Sequence, residues 1–204
     1  MPENLGKDQS LKNPYPLILA STSKYRGALL GQLGLSFEAV APGVDEDQLK
    51  NKGLSPTQLA MELAHLKAKA VFEKRPGACV IGSDQVCMLN GELLSKPGTI
   101  QKAVEQLTKM QGQHHELITA VTLLSPAGEI HFHNRTLLFM RTLSLEQIQN
   151  YVEEDRPLDC AGSYKLETKG IKLFEKIEMD DHTSIIGLPL IQLNNHLLSL
   201  GYPL

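Results

Sequence analysis

Two long extended segments in the second half of the chain constrain the fold more than any other feature. Residues 117–124 and 129–141 have the composition of strands, and the turn-forming run Pro126-Ala127-Gly128 joins them. Two strand patterns separated by a short turn run predict an antiparallel hairpin. A shorter hairpin is predicted around Asn90-Gly91, a pair that favours a tight turn.

Strand and helix patterns alternate along the rest of the chain. Leu17 to Ala20 is a short buried strand pattern followed by a helix from about Ser23, and Ser55-Pro56-Thr57-Gln58 has the sequence of a helix N-terminus. Further helices are predicted from Thr99, Ser144 and Pro189, and further strands at 37–40, 78–83, 86–89, 92–94 and 171–178. Alternating elements with long antiparallel hairpins predict a mixed α/β fold with two lobes around a cleft.

Composition limits the classes of function. The chain has 204 residues, of which 42% are hydrophobic and 21% charged, so it can bury one sizeable core or two small lobes. We predict a flexible arm at 1–15 and a single domain at 16–204. A net charge of -3 gives no electrostatic basis for binding nucleic acid. No apolar run approaches the roughly 20 residues that span a bilayer, and the polar start lacks a signal core, which predicts a cytoplasmic protein.

The turn after the first strand is a candidate phosphate site. Ser21, Thr22 and Ser23 precede a helix N-terminus, where hydroxyls and backbone N–H groups bind anions, and Arg26 follows in the first turn. The same residues also fit a simpler interpretation, in which Ser23 caps the helix and Arg26 faces solvent.

Carboxylates and a lysine follow two other strand patterns. Asp84 comes directly after a buried strand, where it could orient water or bind a metal, and the short hairpin returns Ser95-Lys96-Pro97 towards the same end. Asp45-Glu46-Asp47 adds oxygen ligands of the kind that Mg²⁺ prefers. Each of these also fits a turn aspartate, a surface lysine or a solvated acidic run.

The sequence does not match other nucleotide-binding and metal-binding motifs. Gly77 and Gly82 have the spacing of a P-loop, but Ser83-Asp84 stands where Lys and Ser or Thr are required. His131 and His133 share one strand face, yet no third ligand is evident nearby, so we predict solvated or hydrogen-bonded histidines.

Seven ordered segments together resemble the Maf family of nucleotide pyrophosphatases, named for inhibition of septum formation. These segments span nearly the whole chain: 17–23 with Arg26, 44–46, 63–64 with 67–68, 81–85, 96–97, 159–163 and 187–190. The resemblance implies a fold similar to that of inosine triphosphate pyrophosphatases, a nucleoside triphosphate substrate, a divalent metal, with Mg²⁺ or Mn²⁺ expected, and a possible homodimer.

The resemblance also implies roles for individual residues. Asp84 would be the catalytic acid-base residue, and Glu46 would help to hold the metal. The cations of Arg26, Lys67 and Lys96 would bind phosphates, beside the hydroxyls of the strand-to-helix turn. Attack of water at the α-phosphate makes pyrophosphate the leaving group, and its growing negative charge requires fixed cations.

Three positions resemble the branch of the family that acts on 7-methyl-GTP. They hold Tyr25, Gln85 and Glu167, whereas the branch acting on dTTP and UTP has arginine, threonine and glutamine there. The usual opening Ser-Pro-Arg-Arg is also altered, because Lys24 replaces its proline. N7 methylation makes guanine cationic, so a tyrosine face can attract it, and a carboxylate can accept from guanine N1–H and the 2-amino group.

Two other functions stay open on the sequence. A pyrophosphatase for UTP, dTTP or modified nucleotides would use the same catalytic residues with a different base pocket. A nucleotide-binding regulator of cell division would bind without hydrolysis. Retention of Asp84, Glu46 and both lysines favours an enzyme.

Overall fold

A computed structural model describes residues 14–46 and 53–204. Its strands are β1 (Leu17–Leu19), β2 (Phe37–Ala39), β3 (Cys79–Leu89), β4 (Glu92–Leu94), β5 (His114–Ser125), β6 (Gly128–Met140) and β7 (Phe174–Glu178). Its α-helices are α1 (Lys24–Gly31), α2 (Pro56–Phe72), α3 (Ile100–Met110), α4 (Leu145–Asp155) and α5 (Leu190–Ser199). Short 3₁₀ helices occupy Gly170–Leu173 and Ser184–Ile186.

The seven strands form one sheet in the order β2-β1-β3-β5-β6-β7, with β4 paired to β3 outside this path. β1 is parallel to both β2 and β3, whereas the remaining pairs are antiparallel. The predicted long hairpin is β5–β6, which pairs from His114 with Phe139 to Ser125 with Gly128. The predicted mixed α/β fold is therefore confirmed.

Strand β3 has two different edges. Along one edge β5 pairs with residues 80–88. Along the other, β1 pairs with residues 79–81 and β4 with residues 87–89. Within the described residues, the stretch 82–86 thus has no strand partner on that second edge.

The apolar core divides along the length of the sheet. One cluster joins β1 and the first part of β3 to α1 and α5, with Leu30, Ile81 and Leu193 at its centre. A second cluster joins the far end of β3, β5 and β6 to α3 and α4, and includes Leu107 and Leu138. Two further clusters pack α2 against the sheet.

The helix starts follow the sequence closely. Ser55 with Gln58 and Ser144 with Gln147 form reciprocal capping boxes at the first residues of α2 and α4. In such a box each side chain satisfies a backbone N–H that the helix itself cannot bond, which fixes the boundary.

Two element boundaries differ from the sequence prediction. The predicted strands at 78–83 and 86–89 are one continuous strand, β3, so Asp84 lies in the middle of a strand and not after its end. The predicted strand at 171–178 begins as a 3₁₀ helix and becomes extended only at Phe174.

The predicted arm at 1–15 lies almost wholly outside the described residues. At its end, the Tyr202 hydroxyl donates a hydrogen bond to the backbone carbonyl of Tyr15 at 2.9 Å. None of the described helices has the length and hydropathy that crossing a membrane requires.

Candidate active site

A buried ion pair connects helix α2 to the middle of strand β3. Lys67 Nζ lies 2.6 Å from Asp84 Oδ1 and 2.7 Å from Glu46 Oε1. Lys67 and Asp84 are only 6% and 7% exposed, whereas the Glu46 side chain is 42% exposed. The structure thus brings together three of the predicted catalytic and metal-binding residues around one ammonium group.

Gly82 allows this close approach. A Cβ atom on Gly82 would lie 2.2 Å from the carbonyl oxygen of Ala64 and 2.6 Å from the backbone nitrogen of Ala68, both on α2. Only glycine lets the helix backbone pack this closely on the strand. Asp84 is two residues further along β3, so it lies on the same sheet face as α2 and meets Lys67.

Burial and charge act in opposite directions on Asp84. Removal of the carboxylate from water raises its pKa, while the positive charges of Lys67 and Arg26 lower it, and the first effect is the larger. Burial also lowers the pKa of the Arg26 guanidinium, opposed by Asp84 and Glu46. A carboxylate with a raised pKa is better suited to accept a proton near neutral pH.

Arg26 is held in the site by the last part of the chain. Its Nε donates to the Gly187 carbonyl at 2.9 Å, and the Ser83 hydroxyl donates to the same oxygen at 2.9 Å. Ser23 does cap α1, since its hydroxyl accepts from the Arg26 backbone N–H at 3.4 Å. The cap is therefore present as in the simpler interpretation, but Arg26 is partly buried beside the carboxylates and not on the solvent face.

Two adjoining cavities of about 400 and 390 Å³ form one cleft. Each has the size of a small-molecule site. They share a charged set of walls: Ser23, Tyr25, Arg26, Glu46, Lys67, Lys96 and Asp159. The second cavity continues to Ser21 and the N-terminus of α1, where anions are favoured.

Most of the remaining walls of the first cavity are apolar. They include Leu59, Leu63, Leu93, Leu94, Leu117, Leu166, Ile185 and Ile186, with the buried ring of Tyr164. The first cavity thus combines the shared charged walls with apolar side chains that do not line the second cavity.

The three predicted base-selecting residues all line the first cavity. Glu167 is exposed, and Tyr25 is partly buried with Lys24 Nζ 5.0 Å from its ring centroid. The amide nitrogen of Gln85 donates to the carbonyls of Ser184 and Ile185 at 2.9 and 3.0 Å. Because the N–H groups of this amide are already used within the protein, Gln85 would contact a base through its side-chain carbonyl oxygen.

The Maf-like protein family matches residues 16–200 of the chain. The protein belongs to the Maf family. A protein of Bdellovibrio bacteriovorus named 7-methyl-GTP pyrophosphatase is 48% identical over 177 residues, which cover 87% of this chain and 93% of that protein. A protein of the same name from Xanthomonas axonopodis pv. citri is 47% identical over 186 residues, 91% of this chain and 97% of the relative.

The Maf chain also has the fold of a solved structure, the Ham1 protein of Staphylococcus aureus. The TM-score is 0.50 at 14% identity, and the match covers 89% of this chain and 98% of that one. At this level of identity the likeness concerns the fold alone.

Sequence reasoning missed several residues of the Maf cleft. Asp159, Cys160 and Tyr164 line it, and Gly187 supplies the carbonyl that holds Arg26. The segments 159–163 and 187–190 were among those that carry the family resemblance, but no periodicity or spacing connects them to Asp84. Their role depends on contacts between residues that are more than 70 positions apart in the sequence. Arg26 and Gly187, for example, are separated by 161 positions.

The carboxylate oxygens of this Maf site are of the kind that a hard divalent cation prefers. Glu46 and Asp84 direct carboxylate oxygens at one positive atom, Lys67 Nζ, and Mg²⁺ and Mn²⁺ prefer such oxygens. Asp45 is exposed and lies next to Glu46. Asp47, the third residue of the predicted acidic run, lies outside the described residues.

Proposed function

We propose that the protein hydrolyses 7-methyl-GTP to 7-methyl-GMP and pyrophosphate. The observation that carries the proposal is the division of the cleft walls, in which three basic side chains line both cavities and a set of apolar side chains lines the first cavity alone. A nucleotide has the matching division into a polyanion and a flat base.

The names of the relatives support this substrate. Eight relatives that are 45–48% identical over most of their length carry the name 7-methyl-GTP pyrophosphatase. The present chain has the base-selecting residues that resemble this branch, Tyr25, Gln85 and Glu167.

The reaction we propose breaks the bridging bond between the α- and β-phosphates. Asp84 accepts a proton from water, whose oxygen forms a new bond to the α-phosphorus while pyrophosphate leaves. Burial, which raises the pKa of Asp84, strengthens it as a base. Lys67 and Arg26, both beside Asp84, would stabilise the negative charge that grows on the phosphates.

Lys96 and Ser21 would act further along the triphosphate. Lys96 is exposed and lines both cavities, so its ammonium group can reach a phosphate without moving a buried element. Ser21 and Ser23 would add hydroxyl contacts at the N-terminus of α1, where the helix dipole favours negative charge.

Base selection would fall to Tyr25 and Glu167. The electron-rich face of tyrosine attracts the cationic ring of 7-methylguanine by about 0.5 to 2 kcal/mol. Lys24 Nζ already lies 5.0 Å from the Tyr25 ring centroid, so the base would have to compete with this cation or stack on the other ring face. The Glu167 carboxylate would accept hydrogen bonds from N1–H and the 2-amino group.

We also propose that the enzyme requires a divalent metal, Mg²⁺ or Mn²⁺. Glu46 would hold it, with its 42% exposed side chain able to turn towards a bound ion. When bound, such an ion would neutralise phosphate charge and make pyrophosphate a better leaving group.

Release of pyrophosphate from 7-methyl-GTP, GTP, UTP, dTTP and CTP tests the proposal, with Mg²⁺ or Mn²⁺ present. We expect 7-methyl-GTP to be hydrolysed fastest, and Asp84→Asn to lose at least about 100-fold in kcat. Asp180→Asn is the matched control, since Asp180 is exposed and does not line the cleft.

The other outcomes lead to specific alternatives. Preference for UTP or dTTP with the same dependence on Asp84 would retain the chemistry and refute the base assignment. Nucleotide binding without any pyrophosphate release would favour the non-hydrolysing regulator. Normal turnover by Asp84→Asn would refute the catalytic assignment itself.

A further inference from the structure

A group of two histidines and a glutamate lies apart from the cleft, on the sheet face that α2 covers. His65 is on α2, and Glu129 and His131 are on β6. One possible ligand atom from each residue lies within 4.8 Å of the other two. None of the three lines either cavity of the cleft.

We propose that His65, Glu129 and His131 form a second metal site, which binds a divalent transition metal such as Zn²⁺ and joins α2 to β6. The sequence predicts a solvated or hydrogen-bonded His131 with no third ligand nearby, and His131 does contact Thr122 and Glu129. The third donor of this group, His65, comes from a helix 66 positions away, which local spacing does not reveal. His133, its predicted neighbour on the strand face, is exposed and is not in the group.

The donor atoms decide which metal would bind. Two imidazoles and one carboxylate are the ligand set of many zinc sites that keep a fourth position for water. Imidazole nitrogen suits Zn²⁺, Ni²⁺ and Cu²⁺, whereas Mg²⁺ prefers oxygen. The oxygen ligands of Glu46 and Asp84 in the cleft would therefore select a different cation from this site.

A buried threonine already orients one of the ligands. Thr122 is 1% exposed, and its hydroxyl lies 3.0 Å from Nδ1 of His131. When Nδ1–H donates to this hydroxyl, the lone pair of Nε2 is left for a metal, as in most histidine metal sites. Nε2 lies 3.2 Å from Glu129 Oε2, a contact that needs a proton on Nε2 in the metal-free protein. A metal on Nε2 would take the place of that proton, and the ring proton would then lie on Nδ1.

One ring nitrogen of His65 has no hydrogen-bond partner in the fold. Its Nδ1 is buried and has no hydrogen-bond partner among the described residues. An unpaired buried polar atom is costly, so its retention needs a reason. The rings of His65 and His131 have centroids 5.5 Å apart and are tilted by 46°, so they are neighbours without being stacked face to face.

The site is open enough for an ion to enter. The side chains of His131 and Glu129 are 34% and 59% exposed, while His65 is partly buried at the helix side. A bound ion would clamp α2 to β6. Lys67 is two residues from His65 on the same helix, so the clamp would also restrain the helix segment that positions the catalytic ion pair.

Zinc binding to the full-length Asp84→Asn protein tests the proposal without a measurement of activity. Excess Mg²⁺ is present throughout. Equilibrium dialysis should give a single equivalent of tightly bound Zn²⁺, and Zn²⁺ should raise Tm. His131→Ala and Glu129→Gln should each weaken binding by about tenfold or more and remove the rise in Tm. His133→Ala is the matched control and should bind as the parent does.

Glu129→Gln alters a side chain that is 59% exposed and keeps its shape, so this variant should fold as the parent does, and the Tm of each metal-free variant checks its folding. Unchanged zinc affinity in His131→Ala and Glu129→Gln would overturn the proposal and place the bound zinc elsewhere, for instance at Cys160. Absence of zinc binding to the parent protein would also overturn it. Because the Asp84→Asn protein lacks the catalytic base, neither result depends on the proposed hydrolysis.

Discussion

The ammonium group of Lys67 lies 2.6 Å from the carboxylate of Asp84, and both side chains are buried between α2 and β3. The pair is thus both a structural contact between two elements and the centre of the proposed chemistry. Loss of one member removes the nearest opposite charge from the other buried group, which is more costly than loss of both.

Lys67→Met should lower the free energy of unfolding by about 3 to 5 kcal/mol, because the buried Asp84 carboxylate would lose its nearest cation and keep only the charge of Arg26. Adding Asp84→Asn should recover part of that loss, with a coupling energy of about 0.5 to 3 kcal/mol. Urea denaturation of the two single variants and the double variant measures this cycle. Lys69→Met, at an exposed position on the same helix, is the control. Additive losses would show that the two groups do not interact.

Gly82→Ala should destabilise the protein by about 3 kcal/mol, because its Cβ would come within 2.2 Å of the Ala64 carbonyl oxygen. The backbone of α2 would have to move away from β3, so activity should fall as well. Gly77→Ala introduces a methyl group with nothing within 4 Å and should change stability by less than about 0.5 kcal/mol. Equal thermal stability of the two variants would contradict the packing argument.

Glu167→Gln combined with Tyr25→Arg should reduce the preference for 7-methyl-GTP over UTP by about tenfold or more, because both the stacking face and the acceptor for guanine are lost. The ratio of kcat/KM values for the two substrates measures this change. Glu154→Gln is a control at an exposed position that does not line the cleft. A ratio identical to that of the parent would refute the assignment of these residues.

His115 should make stability depend on pH. Burial, with a smaller contribution from His114, lowers the pKa of His115 to about 4. The unfolded chain takes up a proton near pH 6.5 and the folded protein does not, so stability contributed by neutral His115 is present above pH 6.5 and is lost as pH falls towards 4. The loss between pH 7 and pH 5 should be about 2 kcal/mol.

Denaturation of His115→Gln at the two pH values checks this contribution, which the variant should lack. His133→Gln, at an exposed position, should keep it. The ring Nε2 of His115 lies 2.9 Å from the Tyr164 hydroxyl, and Tyr164 lines the cleft, so the apolar end of the site should loosen over the same pH range. An identical pH dependence in all three proteins would refute the assignment to His115.

Local sequence signals predicted the helix starts and the long hairpin well. Both capping boxes and the tight turn, where Asn90 and Gly91 have φ of 51° and 81°, depend on residues within a few positions of one another. The family resemblance covers segments far apart in sequence, and it is this resemblance that predicted a shared site for Asp84, Lys67 and Arg26. Periodicity alone could not pair a helix lysine with a strand aspartate.

The errors have a common physical cause. β3 continues through polar Ser83, Asp84 and Gln85 because β5 pairs with every residue from 80 to 88, and that tertiary pairing outweighs the break in the apolar pattern. The proximity of His65 to His131 was likewise not predicted from the sequence, since His65 lies beside β6 only through helix packing. Homodimer formation and a cytoplasmic location stay predictions, since neither follows from contacts within one chain.

The unpaired stretch 82–86 of β3 has a further consequence for what the sheet can bind. The unpaired backbone N–H and C=O groups of a free strand edge can bond to a strand of another chain, which promotes aggregation. Here β1 and β4 occupy the same edge at both ends, at residues 79–81 and 87–89, and therefore block any incoming strand. The gap between β1 and β4 borders the cleft at Asp84, Gln85 and Val86, where it is open to a small molecule. At this position the interrupted edge therefore leaves space for a small molecule and not for a pairing strand.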